Sequence, residues 1–194
     1  MRLLEETIER EGKILGNGII KVDSFMNHQI NPALMKEIGL EFSRHLQALR
    51  PTRILTAETS GIAPALACAM TLNIPVVFAR KQKPITMDKG VFSEQSLSHT
   101  KGQAVELHVS PEYLKAEDRV LIIDDFLATA RTIRTLVNLV KQSGATVVGI
   151  GAVIEKSFEG GREQLRQLNV PIVSLAIIDR FDGERVVFKT TAPA

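Results

Sequence analysis

The clearest buried-strand run in the chain, residues 119–123 (RVLII), ends at two adjacent carboxylates, Asp124 and Asp125. The residues that follow, 126–132 (FLATART), are small and hydroxylated and lead into a helical pattern. Carboxylates delivered by a buried strand can accept hydrogen bonds from sugar hydroxyls or hold the water shell of a magnesium ion. The bend made by Ala128, Thr129, Ala130, Arg131 and Thr132 can offer backbone N–H groups, two hydroxyls and a helix N-terminus to a monophosphate. A second bend, Thr59, Ser60 and Gly61, joins the run 53–57 (RILTA) to an Ala/Leu-rich helix and can likewise aim N–H groups at an anion. Taken singly this second bend is no more than a helix start. The whole pattern over 120–132 exceeds what capping alone requires.

Positioning these groups takes alternating strands and helices. Leu4 and Ile8 place a helix over 2–12. Asn31 followed by Pro32 reads as an N-cap with proline at the first helical position, and Leu34, Ile38, Phe42 and Leu46 continue that helix to about 49. Residues 53–57 and 75–79 read as buried strands around a helix that ends near Leu72, the length a parallel crossover needs. Residues 80–101 are polar and aperiodic, which predicts a long functional loop, and 103–109 alternates weakly as a returning strand. Strands follow at 119–123, 146–154 and 173–178, with an edge strand at 185–189. Helices fall at 132–142 and 162–168, the former closed by Gly144 in a left-handed cap. Four or five apolar strands separated by helices imply an α/β fold with a parallel sheet, and ligands of such sheets bind at the carboxyl ends of the strands.

Composition removes several alternatives. The 194 residues carry 24 Lys+Arg against 22 Asp+Glu, a net charge of +2, so no global field draws the chain to nucleic acid or to an anionic membrane. Aromatics are 5% with no Trp, too few for a base-stacking platform. The one cysteine, Cys68, permits neither a disulfide framework nor a cysteine zinc site, and within the run 64–70 (PALACAM) it reads as a buried small hydrophobe. The longest apolar stretch, 54–79, is broken by Glu58, Pro64, Asn73 and Pro75, and the acid-studded first ten residues do not form a signal peptide. A cytoplasmic protein is expected.

The segment 120–132 resembles the phosphoribosyl-diphosphate signature of the type I phosphoribosyltransferases, an apolar strand ending in two acids before a Thr-rich loop. The resemblance extends over nearly the whole chain. Within the family, residues 15–30 (LGNGIIKVDSFMNHQI) and 154–158 (IEKSF) are similar to the members that use xanthine. It implies a parallel sheet flanked by helices, with a hood from roughly 1–35 and 155–194 and a mobile loop over roughly 84–105, all in a single domain. It implies transfer of a phosphoribosyl group to xanthine with release of diphosphate, aided by Mg2+, in a homodimer without nucleic-acid or membrane partners. Residue by residue, Ala128, Thr129, Ala130, Arg131 and Thr132 would hold the 5′-phosphate, and Asp124 and Asp125 the ribose hydroxyls, directly or through magnesium water. Ser60 and Gly61 would meet the diphosphate. Arg80, Lys81 and Lys83 would neutralise it, within one chain or from a neighbouring subunit. Ile20, Asn27 and Lys156 would face the purine. Phe158 would stack on it or pack beneath the loop.

Two departures from the family pattern bear on the site. Ala130 stands where the loop usually has Gly, so either the loop keeps a negative φ there or phosphate binding is altered. Ala128 stands where hypoxanthine–guanine enzymes carry an Asp near the purine N7, which leans toward a base that ionises more easily. Lys156 argues against adenine, whose 6-amino group is itself a donor. A phosphoribosyl-diphosphate sensor without catalysis, acting as a transcriptional regulator, would need a DNA-binding module that residues 1–50 do not display. A guanine or hypoxanthine enzyme of the same fold is the nearer alternative.

Overall fold

The computed structural model describes residues 1–83, 90–97 and 104–189. The chain opens with helix α1 (Arg2–Glu11), which buries Leu4 and Ile8 as their spacing requires. A hairpin of β1 (Lys13–Gly16) and β2 (Ile19–Lys21) follows, then a single π-helical turn over Asp23–Asn27. Helix α2 (Pro32–Leu46) starts on Asn31, whose Oδ1 accepts from the N–H groups of Ala33 and Leu34, both at 3.1 Å. The rest runs β3 (Arg53–Ala57), α3 (Ile62–Leu72), β4 (Val76–Ala79), β5 (Phe92–Leu97), β6 (Ala104–Val109), β7 (Arg119–Leu127), α4 (Arg131–Ser143), β8 (Thr146–Lys156), α5 (Gly161–Leu165), β9 (Ile172–Asp182) and β10 (Arg185–Phe188).

The central sheet has the order β10-β9-β8-β7-β3-β4. Its five inner and far-edge strands are parallel, and β10 closes one edge antiparallel to β9. Apolar layers pack on both faces. One gathers Ile38, Phe42 and Leu46 of α2 with Ala65 and Cys68 of α3, and the other gathers Ile133, Leu136 and Val140 of α4 with Leu55 and Ile122. Burial on both faces is why these strands are continuously apolar rather than alternating. Chain order places β3 and β7 side by side although α3, β4 and the β5–β6 hairpin intervene. This brings the two bends that follow them to the same edge.

Three expectations need correction. The apolar run at 119–123 does not stop at the two acids. Strand β7 continues to Leu127 because β8 keeps pairing with it, Phe126 opposite Ile154 and Leu127 opposite Glu155. Strand β9 likewise outlasts its apolar stretch, to Asp182, because β10 pairs with it. Within the expected loop at 80–101, residues Phe92–Leu97 form β5, which pairs with β6 and is fastened to α4 by bonds from Asn138 and Gln142 to the Glu94 carboxylate, each 3.0 Å. Residues 84–89 and 98–103, which make up most of the remainder of the expected mobile loop, lie outside the described residues. No helix among the described residues is long and apolar enough to cross a membrane.

Candidate active site

The carboxyl end of the sheet holds a cleft of about 390 Å³. Asp125 and the bend 128–132 line one side of it, Ser60 another, and Ile20, Asn27 and Lys156 the remainder.

The bend between β7 and α4 carries the kind of donors that an anion can accept. The first N–H groups of a helix lack partners within the helix. No side chain caps α4. Thr129 and Thr132 add hydroxyls, and the buried Thr129 hydroxyl has no partner among the described residues. Ala130 adopts φ 60° and ψ 13°. The loop therefore does not keep a negative φ. It takes the left-handed conformation that the usual Gly would adopt freely, at a cost of about 1–2 kcal/mol for a residue with a Cβ. Arg131 lines the cleft beside it.

Asp124 is buried behind the cleft, with its Oδ1 accepting from the Asp125 N–H at 3.1 Å. Burial pushes its carboxyl well above the usual carboxylate range, the adjacent Asp125 charge pushes it further, and the Lys81 ammonium pulls against both. Asp125 is also raised by burial, opposed by bonds from the Asp124 side chain, the Phe126 N–H and the Asn27 side chain. Of the two, Asp124 is raised the further, and Asp125 is the one that lines the cleft.

The Thr59–Gly61 bend approaches from β3, and its Glu58–Thr59 peptide bond is cis. Gly61 is required by contact. A Cβ there would collide with Thr56 Oγ1 and lie 3.1 Å from Asp124 Oδ1.

Lys156 ends β8, buried, and donates to the Gly18 carbonyl at 3.0 Å while pairing with Glu159. Gly18 belongs to the β1–β2 turn, so this one ammonium joins that hairpin to the sheet. Ile20, 7% exposed, forms the wall beside it. Phe158 makes an edge-to-face contact with Phe181 of β9, centroids 5.6 Å apart at 70°.

The basic turn divides. Lys81 reaches the field of Asp124 and is tied through its N–H to Glu58 Oε1 at 2.6 Å. The Arg80 guanidinium lies 5.8 Å from the Phe78 ring centroid, and none of Arg80, Lys81 and Lys83 lines the cleft of its own chain. Two features went unread in the sequence. Asn17-Gly18 between short apolar runs is a strong hairpin signal, and both residues have positive φ (49° and 74°) as a tight turn demands. The buried Glu155 pairs with Arg162, whose side chain is 39% exposed, an ion pair that no local pattern announces.

The doubly flanked parallel sheet, with an uncapped helix start and Asp125 in one cleft, agrees with the sequence, whose residues 27–190 match the model of the phosphoribosyl transferase domain. The chain belongs to the phosphoribosyltransferase family. It is 50% identical to the xanthine phosphoribosyltransferase of Deinococcus deserti over 94% of each chain. It is 48% identical to that of Streptococcus pneumoniae over 97% of this chain and 98% of the other. Among solved structures it resembles adenine phosphoribosyltransferase from Thermoanaerobacter pseudethanolicus, with a TM-score of 0.71 at 25% identity, covering 90% of this chain and 98% of the other.

Proposed function

We propose that this protein transfers the phosphoribosyl group of 5-phosphoribosyl 1-diphosphate to xanthine, giving xanthosine 5′-monophosphate and diphosphate. The observation that carries the reading is the cleft itself: an uncapped helix start with two threonines at one side, and a buried ammonium with an asparagine at the other. The relatives' shared name supports an enzyme over a sensor and xanthine over other bases.

The chemistry asks little covalent work of the protein. The bond from ribose C1 to diphosphate loosens, charge develops on both fragments, and fixed groups placed where that charge appears lower the barrier. The N–H groups and hydroxyls of 128–132 anchor the 5′-phosphate, so the sugar enters with C1 toward Lys156. Asp125, the more readily ionised acid, accepts from the ribose hydroxyls, and Ser60 with Gly61 faces the diphosphate. Lys156 donates to the 6-oxo group, and a donor held there disfavours adenine. Arg80 and Lys83 serve a neighbouring subunit's diphosphate.

Magnesium fits these residues in one way. Among the described residues, no three His, Cys, Asp or Glu converge as ligands. Two adjacent carboxylates suit an ion that takes most of its shell from water and substrate oxygens. When bound, magnesium supplies Lewis-acid stabilisation to the departing diphosphate.

The same reading makes the chain a single cytoplasmic domain, hooded by the β1–β2 hairpin and the segment after β8, and a homodimer. An apolar groove of about 830 Å³ between α2 and α3 leaves Leu66 and Met70 exposed (51% and 76%) and reaches Ser60 at the rim of the cleft. It is a natural seat for a second copy, testable by light scattering in solution.

Diphosphate release measured with magnesium, phosphoribosyl diphosphate and each purine in turn tests the function. Fastest turnover with xanthine is expected. Turnover with adenine alone would discard the base assignment, and tight donor binding without turnover on any base would restore the sensor.

A further inference from the structure

Behind the cleft, and lining none of it, sits an ion pair with more hydrogen bonds than any other in the described structure. Glu155, the penultimate residue of β8, is 3% exposed. Arg162 Nε donates to both of its oxygens, at 2.9 and 3.1 Å, and Nη2 donates to Oε2 at 2.5 Å. Nη2 also reaches Ser174 Oγ at 3.0 Å, and the Ser174 hydroxyl donates to Glu155 Oε2 at 2.5 Å. Nη1 donates to the Ile172 carbonyl at 3.0 Å. The guanidinium is therefore fixed against both β8 and β9.

This pair brackets a short segment whose two ends meet the cleft. Lys156 follows Glu155 directly. Gly161 precedes Arg162 directly, and its N–H donates to the Ala128 carbonyl at 2.9 Å. A Cβ on Gly161 would collide with that carbonyl and lie 2.8 Å from the Ala130 nitrogen. The backbone at Gly161 is thus seated against the bend that holds the strained Ala130. Where Gly161 lies decides where Ala128 lies, and the adjacent Arg162 decides where Gly161 lies.

An ion pair with one partner buried and the other 39% exposed is weak ground for stability, since solvent screens it and desolvation of the buried carboxylate opposes it. What a forked guanidinium supplies is direction, through several bonds of fixed geometry at once. We propose that Arg162, held by Glu155 and Ser174, is a positioning residue for the phosphate-holding bend at 128–132. The inference rests on reading that bend as the 5′-phosphate site. It assigns Arg162 no contact with substrate.

The test uses ribose 5-phosphate, which carries the phosphate and sugar but neither base nor diphosphate. Calorimetric Kd values are measured for the unmodified protein, Arg162→Lys, which keeps the charge and loses the fork, and Ser174→Ala, a milder lesion. Arg162→Lys is expected to weaken ribose 5-phosphate by about tenfold, the scale on which supporting partners act. The KM for phosphoribosyl diphosphate should rise by the same factor while kcat stays within about twofold, the pattern of lost uniform binding. Ser174→Ala should move both quantities the same way by a smaller factor. Variants that melt earlier yet bind ribose 5-phosphate as the parent does would make the pair merely structural and overturn the proposal.

Should Arg162→Lys fail to fold, Ser174→Ala and the unmodified protein still decide. On the latter, ribose 5-phosphate should shift the NMR signals of the Gly161 N–H and the Arg162 Nε–H, and unmoved signals would count against it. A parent that does not bind ribose 5-phosphate would remove the reading of the bend and this inference together. A parent that binds it, with variants unaffected, would remove the inference alone.

Discussion

Gly61 lies so close to Asp124 that a Cβ on the glycine would stand 3.1 Å from the Asp124 Oδ1 and inside the Thr56 hydroxyl. The contact joins the bend after β3 to strand β7, more than sixty residues further along the chain. Two parallel strands, β3 and β7, bring it about, and the absence of a side chain at 61 permits it. Gly61→Ala is expected to cost about 1–3 kcal/mol through overpacking, read from urea unfolding. Thr56 is displaced first and Asp124 lies next to it, so donor use should fall with every base alike. A melt and rate equal to the parent's would show that bend and strand are less closely seated.

Asp124→Asn separates stability from activity. Burial raises the folded carboxyl, so its protonated form is the one the fold favours. Its stabilising contribution is fully present below the ordinary carboxylate value of about 3.9 and is lost as pH rises through the raised folded value. At pH 7 the charged form is a burden. The amide removes it, so the variant should melt higher than the parent at pH 7, with the gap closing toward pH 4. Turnover should drop on the order of 10²-fold, the scale for removing one fixed electrostatic group. A lower melting point at pH 7 would show that the charge is better compensated than its surroundings indicate.

Ala130→Gly relieves the positive φ of 60°. The left-handed conformation costs a residue with a Cβ about 1–2 kcal/mol. Glycine returns about 0.5–1 kcal/mol of that through its freer unfolded chain. The net expectation is a gain of about 0.5–1 kcal/mol in urea unfolding, at little cost to donor binding because the bend is unchanged in shape. A destabilised variant would mean that the methyl group is packing usefully against the second apolar layer.

Cys68 should resist thiol reagents. Burial raises its thiol to about 11, an effect the Ser43 hydroxyl only partly opposes. At pH 8 in native buffer, a chromogenic disulfide should titrate less than a tenth of an equivalent, rising to one when the chain is unfolded. Fast native labelling would show that α2 and α3 part readily.

What the sequence disclosed depended on whether the signal was local. The N-cap at Asn31, the helical stripe from Leu34 to Leu46 and the double-faced apolar strands are written in neighbouring residues, and all appear as expected. The bend 128–132 was legible for the same reason. The ends of β7 and β9 were not, because pairing with β8 and β10 extends them past the point where apolar character fails. The β5 strand was hidden because its residues (FSEQSL) are mostly polar, and the Asn138 and Gln142 side chains that fasten it lie far along the chain. The same holds for Glu155, whose pairing with Arg162 and Ser174 depends on β8 and β9 lying side by side. The β1–β2 hairpin was legible in Asn17-Gly18 and was overlooked.

Lys156→Ala should weaken xanthine far more than phosphoribosyl diphosphate. Lys156 is buried and lines the cleft, and its ammonium donates to the Gly18 carbonyl and pairs with Glu159. A lost bond to a charged donor costs about 1.5–3 kcal/mol, or roughly ten- to a hundredfold in the xanthine KM. Equal losses in both substrates would contradict its role.

The most direct test is a crystal structure with xanthosine 5′-monophosphate bound. The account places the phosphate within hydrogen-bond distance of the N–H groups of 129–132, the ribose hydroxyls at Asp125, and the 6-oxo group at Lys156. A phosphate bound anywhere else, or a bend at 128–132 closed beneath other side chains, would contradict it.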